Sequence, residues 1–156
     1  MGKHPRWARR FLSDEDFDAI VHAIGQAEAH TSGEIRVHLE RRVPRRRGRK
    51  PGDVIQRARE VFSHLGMRRT AERPGVLIYL ALKDRRLAIV GDEGIHGRVG
   101  DAFWSHARDL MVEKLKAGAP RDAILAAIHD IGRVLGEHFP PRPDDADELS
   151  DQVSVK

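Results

Sequence analysis

Five acids stand where cation chemistry would need them. Glu34, Glu72, Asp92, Glu93 and Asp101 each lie in or beside a glycine- or proline-bearing turn. The densest stretch is VGDEGIHGRVGD, residues 90–101, with four glycines, three acids and one histidine. Carboxylates gathered on loops suit a hard divalent cation, because calcium takes about six to eight oxygens and loop carbonyls can complete the set. Zinc fits less well, as no two histidines stand at ligand spacing. The D-x-D-x-D-G spacing of an EF-hand is missing. A plainer reading makes the stretch a strand-to-helix turn. Gly91 and Gly94 then supply positive φ, Asp101 caps the next helix, and Glu34 is a solvated strand end. The residues alone leave both readings open.

Acids on separate loops meet only if the elements between them bring them together. Ser13 is an N-cap candidate for DEDFDAIVHAIGQAEAH, with Asp16 where a capping box prefers Glu and with Phe17, Ile20, Val21 and Ile24 at helical spacing. In EIRVHLE, Ile35, Val37 and Leu39 alternate with polar residues, the pattern of a strand. DVIQRAREVFSHLG reads as a helix with Val54, Ala58, Val61, Phe62 and Leu65 inward and Gly66 as its stop. GVLIYLAL is nearly continuous in apolar residues, as a strand buried on both faces would be, and KDRR turns it into LAIV. Two helices follow. The first puts Phe103, Ala107, Leu110, Met111 and Leu115 on one side, and the second starts at Pro120. The order α-β-α-β-β-α-α predicts a three-layer αβα sandwich. Its small mixed sheet has two parallel strands and an antiparallel hairpin strand, flanked by about four helices. Residues 1–12 read as a basic extension, 13–140 as the domain and 141–156 as a flexible polar tail.

In that topology the starts of strands one and two share a sheet edge with the finish of strand three. Glu34, Glu72, Asp92 and Glu93 converge there, and Asp101 could swing in. At the opposite edge, ERRVPRRRGRKPG holds seven basic residues, Arg41, Arg42, Arg45, Arg46, Arg47, Arg49 and Lys50, with Arg85 and Arg86 beside them in the turn. In open α/β sheets ligands favour the carboxyl ends of parallel strands, so this edge suits an anion. A solvated loop is the alternative. No aromatic residue interrupts the basic run, so it offers no stacking platform for single strands. His22, His38, His106 and His129 fall within regular elements. His96 alone lies in the glycine loop, where it is a weak catalytic candidate as ligand or proton shuttle. Trp104 reads as core or as a lid over that loop.

Length and composition bound the rest. A chain of 156 residues suits one domain, and the absence of cysteine removes disulfides, thiolate metal sites and cysteine nucleophiles. Lys and Arg number 28 against 24 acids, an excess too small to demand a nucleic-acid partner. No apolar run reaches signal-peptide or membrane-helix length, so the expectation is a soluble, cytoplasmic monomer. No P-loop appears, and the D-F-D at Asp16–Asp18 lies in a helix pattern rather than after a strand.

TSGEIRVHLE, the helix ending FSHLGM, and RTAERPGVLIYLALKDRRLAIVGDEGIHGRVGDAFW together resemble the TPM domain. That domain is shared by a thylakoid lumen phosphatase, a photosystem repair factor and a nematode receptor auxiliary protein. The likeness covers roughly residues 13–140 and is greatest to short bacterial members without signal peptide or membrane helix. It implies an αβα sandwich, calcium binding through acidic loop residues in some members, acid phosphatase activity in others, and accessory roles beside membrane complexes. The matching positions are Gly33, Glu34, Gly75, Gly91, Asp92, Glu93, Gly94 and Asp101. Many membrane-linked relatives carry G-Y-G-L-E where this chain has GDEGIH. The resulting expectation is a non-catalytic binding module. It would hold calcium, or magnesium in a cytosol, and serve a membrane-associated or protein partner. A metal-dependent phosphatase is the first alternative, and anion or nucleic-acid binding through Arg41–Lys50 the second.

Overall fold

The computed structural model describes residues 4–45, 48, 50, 53–67, 74–141 and 153–155, with the side chains of residues 96, 98 and 101 left aside. In chain order the elements are α1 (Arg6–Arg9), α2 (Asp14–Glu28), β1 (Glu34–Glu40), α3 (Val54–His64), β2 (Gly75–Ala81), β3 (Arg86–Gly91), α4 (Glu93–Val99), α5 (Asp101–Lys116), α6 (Pro120–His138) and β4 (Ser154–Val155). The sheet runs β3-β2-β1-β4. β1 and β2 are parallel, from Glu34 opposite Gly75 to Glu40 opposite Ala81. β3 returns antiparallel to β2, and β4 lies parallel to β1 over two pairs.

Period-two alternation decides which residues enter which layer. Ile35, Val37 and Leu39 of β1 face the same way as Val76, Ile78 and Leu80 of β2, into a core closed by α2, α5 and α6. Leu77, Tyr79 and Ala81 face the other way, against Ala58, Val61 and Phe62 of α3. Every residue of β2 is therefore buried, as its unbroken apolar run requires. Burying one such Leu or Ile contributes roughly 1.5–3 kcal/mol. The layers are α2, α5 and α6 on one face, the sheet, and α3 on the other, an αβα sandwich.

Local signals fix the helix ends. Ser13 Oγ accepts from Asp16 N at 3.0 Å while Asp16 Oδ2 accepts from Ser13 N at 2.9 Å, so the shorter Asp closes the capping box. Asp53 caps α3 by accepting from Gln56 N at 3.1 Å. Gly66 follows α3 with φ +75°, a stop that a side chain would strain. α2 and α6 approach closely because Gly132 has no side chain: a Cβ there would lie 2.8 Å from Ala27 Cβ.

Three short elements exceed the sequence expectation: α1, α4 and β4. Each is too brief for a hydrophobic period to show. Ala8 and Leu12, around α1, are fully buried in the main core. Among the described residues no helix is long and apolar enough to cross a membrane.

The open side of β1 is closed from two ends. Near its start, Glu28 Oε2 at the end of α2 accepts from Ile35 N at 2.8 Å. Near its finish, Ser154 and Val155 pair with His38 and Leu39, and Arg36 Nη2 donates to Ser154 Oγ at 2.6 Å.

Candidate functional site

The acidic edge is assembled by backbone bonds. Glu34 N donates to Pro74 O at 2.7 Å, and Asp92 N donates to Gly75 O at 3.2 Å. The starts of β1 and β2 and the end of β3 therefore meet. The TSG loop entering β1 is held to the end of α6, since Thr31 Oγ1 and Ser32 N both donate to Phe139 O, at 2.5 and 2.9 Å.

Asp92 is the joint of this edge. Its Oδ2 accepts from Gly75 N at 2.9 Å and its Oδ1 from Ile95 N at 3.1 Å. One carboxylate thus satisfies the first amide of β2 and caps α4. Glu93 is exposed at the first position of α4, whereas Glu34 is fully buried. Glu72 lies outside the described residues. Asp101 opens α5, with Gly100 at φ +87° in the cap position expected of Asp101. Between Asp92 and Asp101 stands α4, seven residues or about 10 Å of helix where a turn was expected. His96 falls on that helix.

The glycines act through space rather than dihedral freedom. Neither Gly91 nor Gly94 has the positive φ expected of a tight turn. A Cβ at Gly91 would stand 3.3 Å from Ile95 and 3.4 Å from Trp104, so glycine lets α4 and α5 close onto the end of β3. Trp104 is packed against the main core. At Gly33 and Gly75 a Cβ would meet Pro74 O and Met67 at 3.2 Å, and at Gly94 it would meet Asp92 Oδ1 at 3.4 Å.

At the other edge Arg41, Arg42, Arg45, Lys50, Arg85 and Arg86 are exposed. Arg46, Arg47 and Arg49 lie outside the described residues. The loop after β1 and the β2–β3 turn are joined, as Lys83 N donates to Arg41 O and Leu82 N to Glu40 O, both at 2.9 Å.

Between the edges lies a buried polar group that the sequence reading missed. Glu34, Arg36, His38 and Glu40 alternate along one face of β1, and Glu34, His38 and Glu40 are buried. Glu40 accepts from Arg57 Nε at 2.8 Å, from Arg57 Nη2 at 2.6 Å and from Tyr79 Oη at 2.6 Å. His38 Nε2 stands 3.6 Å from Glu40, and its ring stacks on Tyr79 with centroids 6.0 Å apart. Arg57 also donates from Nη1 to Glu60 at 3.1 Å. Burial by itself would push the Glu40 carboxyl up. The hydrogen bonds from Arg57, with His38 and Tyr79, outweigh it and hold the group well below the usual carboxylate range. Burial, then Glu40, raises the Tyr79 phenol, while the Glu40 bond raises Arg57. Arg36 is lowered by burial, against the pull of Glu34 and Glu28. The available signal was compositional: Arg57 is a cation on the apolar stripe of α3, and Tyr79 is the one tyrosine of the chain.

The profile of the TPM domain family matches residues 8–134. No curated protein matches the sequence. Among solved structures, the chain is similar to the BA42 protein from the psychrophilic bacterium Bizionia argentinensis, determined by NMR. The two are 40% identical, with a TM-score of 0.82 over 94% of this chain and 96% of that one. The sandwich is therefore that of a family fold, and the chain belongs to the TPM domain family.

Proposed function

We propose that the chain is a non-catalytic binding module that takes a divalent cation at its acidic edge and serves a membrane-associated or protein partner. The observation that carries this reading is the joint at Asp92, where one carboxylate holds the start of β2 against the end of β3 beside Glu34 and Glu93. The donors are right in kind, since carboxylates and loop carbonyls are the hard oxygens that calcium and magnesium take. Both Asp92 oxygens accept a backbone N–H, and each keeps a lone pair for a further contact. Among the described residues no three His, Cys, Asp or Glu side chains are grouped to hold a metal. Glu72 and Asp101 are the further ligands this reading requires.

The test is an amide NMR titration with calcium, repeated with magnesium. Saturable shifts confined to Glu34, the 72–75 segment and 91–101 support the cation site. No shift at millimolar metal makes the edge a structural joint alone. Turnover of p-nitrophenyl phosphate, lost in Asp92→Ala, would replace the binding module with a metal-dependent phosphatase.

A further inference from the structure

The edge opposite the acids gathers exposed cations. Arg41 and Arg42 leave β1, and Lys83, Arg85 and Arg86 form the β2–β3 turn, all of them exposed. Lys116 ends α5 at the same place, its carbonyl accepting from Arg85 Nη1 at 3.3 Å. These six cations come from three segments. Asp84 in the same turn accepts from Val43 N at 2.9 Å and keeps its negative charge, while Glu40 is buried against Arg57, so the cations outnumber the exposed acid among them.

Two further observations single out this end. Arg85 has φ +54° and is, among the described residues, the non-glycine with positive φ. Glycine would take that conformation without strain, so the backbone here tolerates strain to present a guanidinium. Ile55 is the large hydrophobic residue left exposed among those described, at 47%. It sits on the first turn of α3, two residues before Arg57, which reaches the end of β1.

We propose that this end of the molecule docks on an anionic phospholipid bilayer, its cations against head-group phosphates and Ile55 in the interfacial layer. Guanidinium forks match phosphate oxygens. Clustered cations are drawn to an anionic membrane surface, and an exposed apolar side chain at the same end of the molecule adds buried area there. The alternatives fit less well. The described basic residues lie on a loop, a turn and a helix end, with no helix or ribbon projecting to enter a nucleic-acid groove. A protein partner would need a buried apolar centre, and Ile55 alone does not make one. The proposal stands whether or not a cation binds at the other edge.

The experiment is co-sedimentation of the full chain with phosphatidylcholine vesicles, with and without about one-third phosphatidylserine, at low and high salt. The expected result is partition onto the phosphatidylserine vesicles alone, released by salt. Arg85→Gly removes one charge while relieving the backbone, so it folds at least as well yet partitions about fivefold more weakly. Arg41→Ala with Arg42→Ala lowers partition by roughly the square of that factor, about twenty-five-fold. Ile55→Ser weakens binding at low salt and leaves its salt dependence unchanged. No partition at low salt, or partition that these variants leave unchanged, overturns the proposal. So does a DNA duplex or polyglutamate that displaces the protein from the vesicles at matched charge.

Discussion

Arg57 on α3 and Glu40 at the end of β1 form a two-pronged ion pair inside the protein, at 2.8 and 2.6 Å, with each residue only 4% exposed. A buried pair of this kind is costly to break from one side, because the survivor keeps its charge without a partner. Arg57→Met should therefore destabilise by about 3–5 kcal/mol. Replacing Glu40 with Leu in the same chain should recover much of that loss. Urea unfolding of the two single variants and the double variant gives the coupling directly.

Tyr79 supplies a spectroscopic test of the same group. Its phenol is raised by burial and by the bond to Glu40, so the stability it contributes is complete below the ordinary value of about 10 and is lost as pH rises further. Because the chain has one tyrosine, tyrosinate absorbance reports this residue alone. The absorbance should rise only together with unfolding seen by circular dichroism. A reversible rise in the folded protein near pH 10 would contradict the buried bond.

Glu40 gives the opposite sign. Its carboxyl is depressed in the folded state, so its contribution is present above the ordinary carboxylate value of about 4 and fades as pH falls below it. Glu40→Gln should flatten the acid limb of the stability curve below about pH 4. The comparison is made by thermal melts across that range.

Asp92 can be dissected by substitution. Asparagine keeps one acceptor oxygen, so Asp92→Asn retains one of the bonds to Gly75 N and Ile95 N and costs about 1 kcal/mol. Asp92→Ala loses both and should cost about twice as much, with faster amide exchange along α4. If the two variants are equally stable, Asp92 is not the joint described above.

Gly132→Ala tests the contact between α2 and α6. The added methyl would stand 2.8 Å from Ala27 Cβ, so the helices must separate. Overpacking of this kind costs about 1–3 kcal/mol, read as a lower melting temperature.

The sandwich was legible where pattern and layer coincide. The unbroken apolar run of β2 required cover on both faces, and the alternation in β1 placed Ile35, Val37 and Leu39 in the core. Connection lengths then set parallel and antiparallel neighbours, and so brought Glu34, Gly75 and Asp92 to one edge. α4 was not legible, because glycines at 91, 94, 97 and 100 read as a loop; the Asp92 cap stabilises one helical turn against that bias. The Glu40 group was not legible either. Alternation shows that His38 and Glu40 share a face, but not that α3 covers it. Nor does it show that Arg57 would be drawn across the layer to an acid 17 residues earlier.

The guard on β1 has a consequence for folding during synthesis. Ile35 N finds Glu28 within the first part of the chain, but the pair between Arg36 and Ser154 spans 118 residues. A nascent chain that has emerged only as far as α6 has its main core and three of its strands, while the far end of β1 still presents unpaired backbone. Until residues 154–155 leave the ribosome, Glu28 is the group, among the described residues, that holds that side. Neighbouring chains on one polysome are then close enough to add strands to each other, and this interval is when a chaperone would have most to protect.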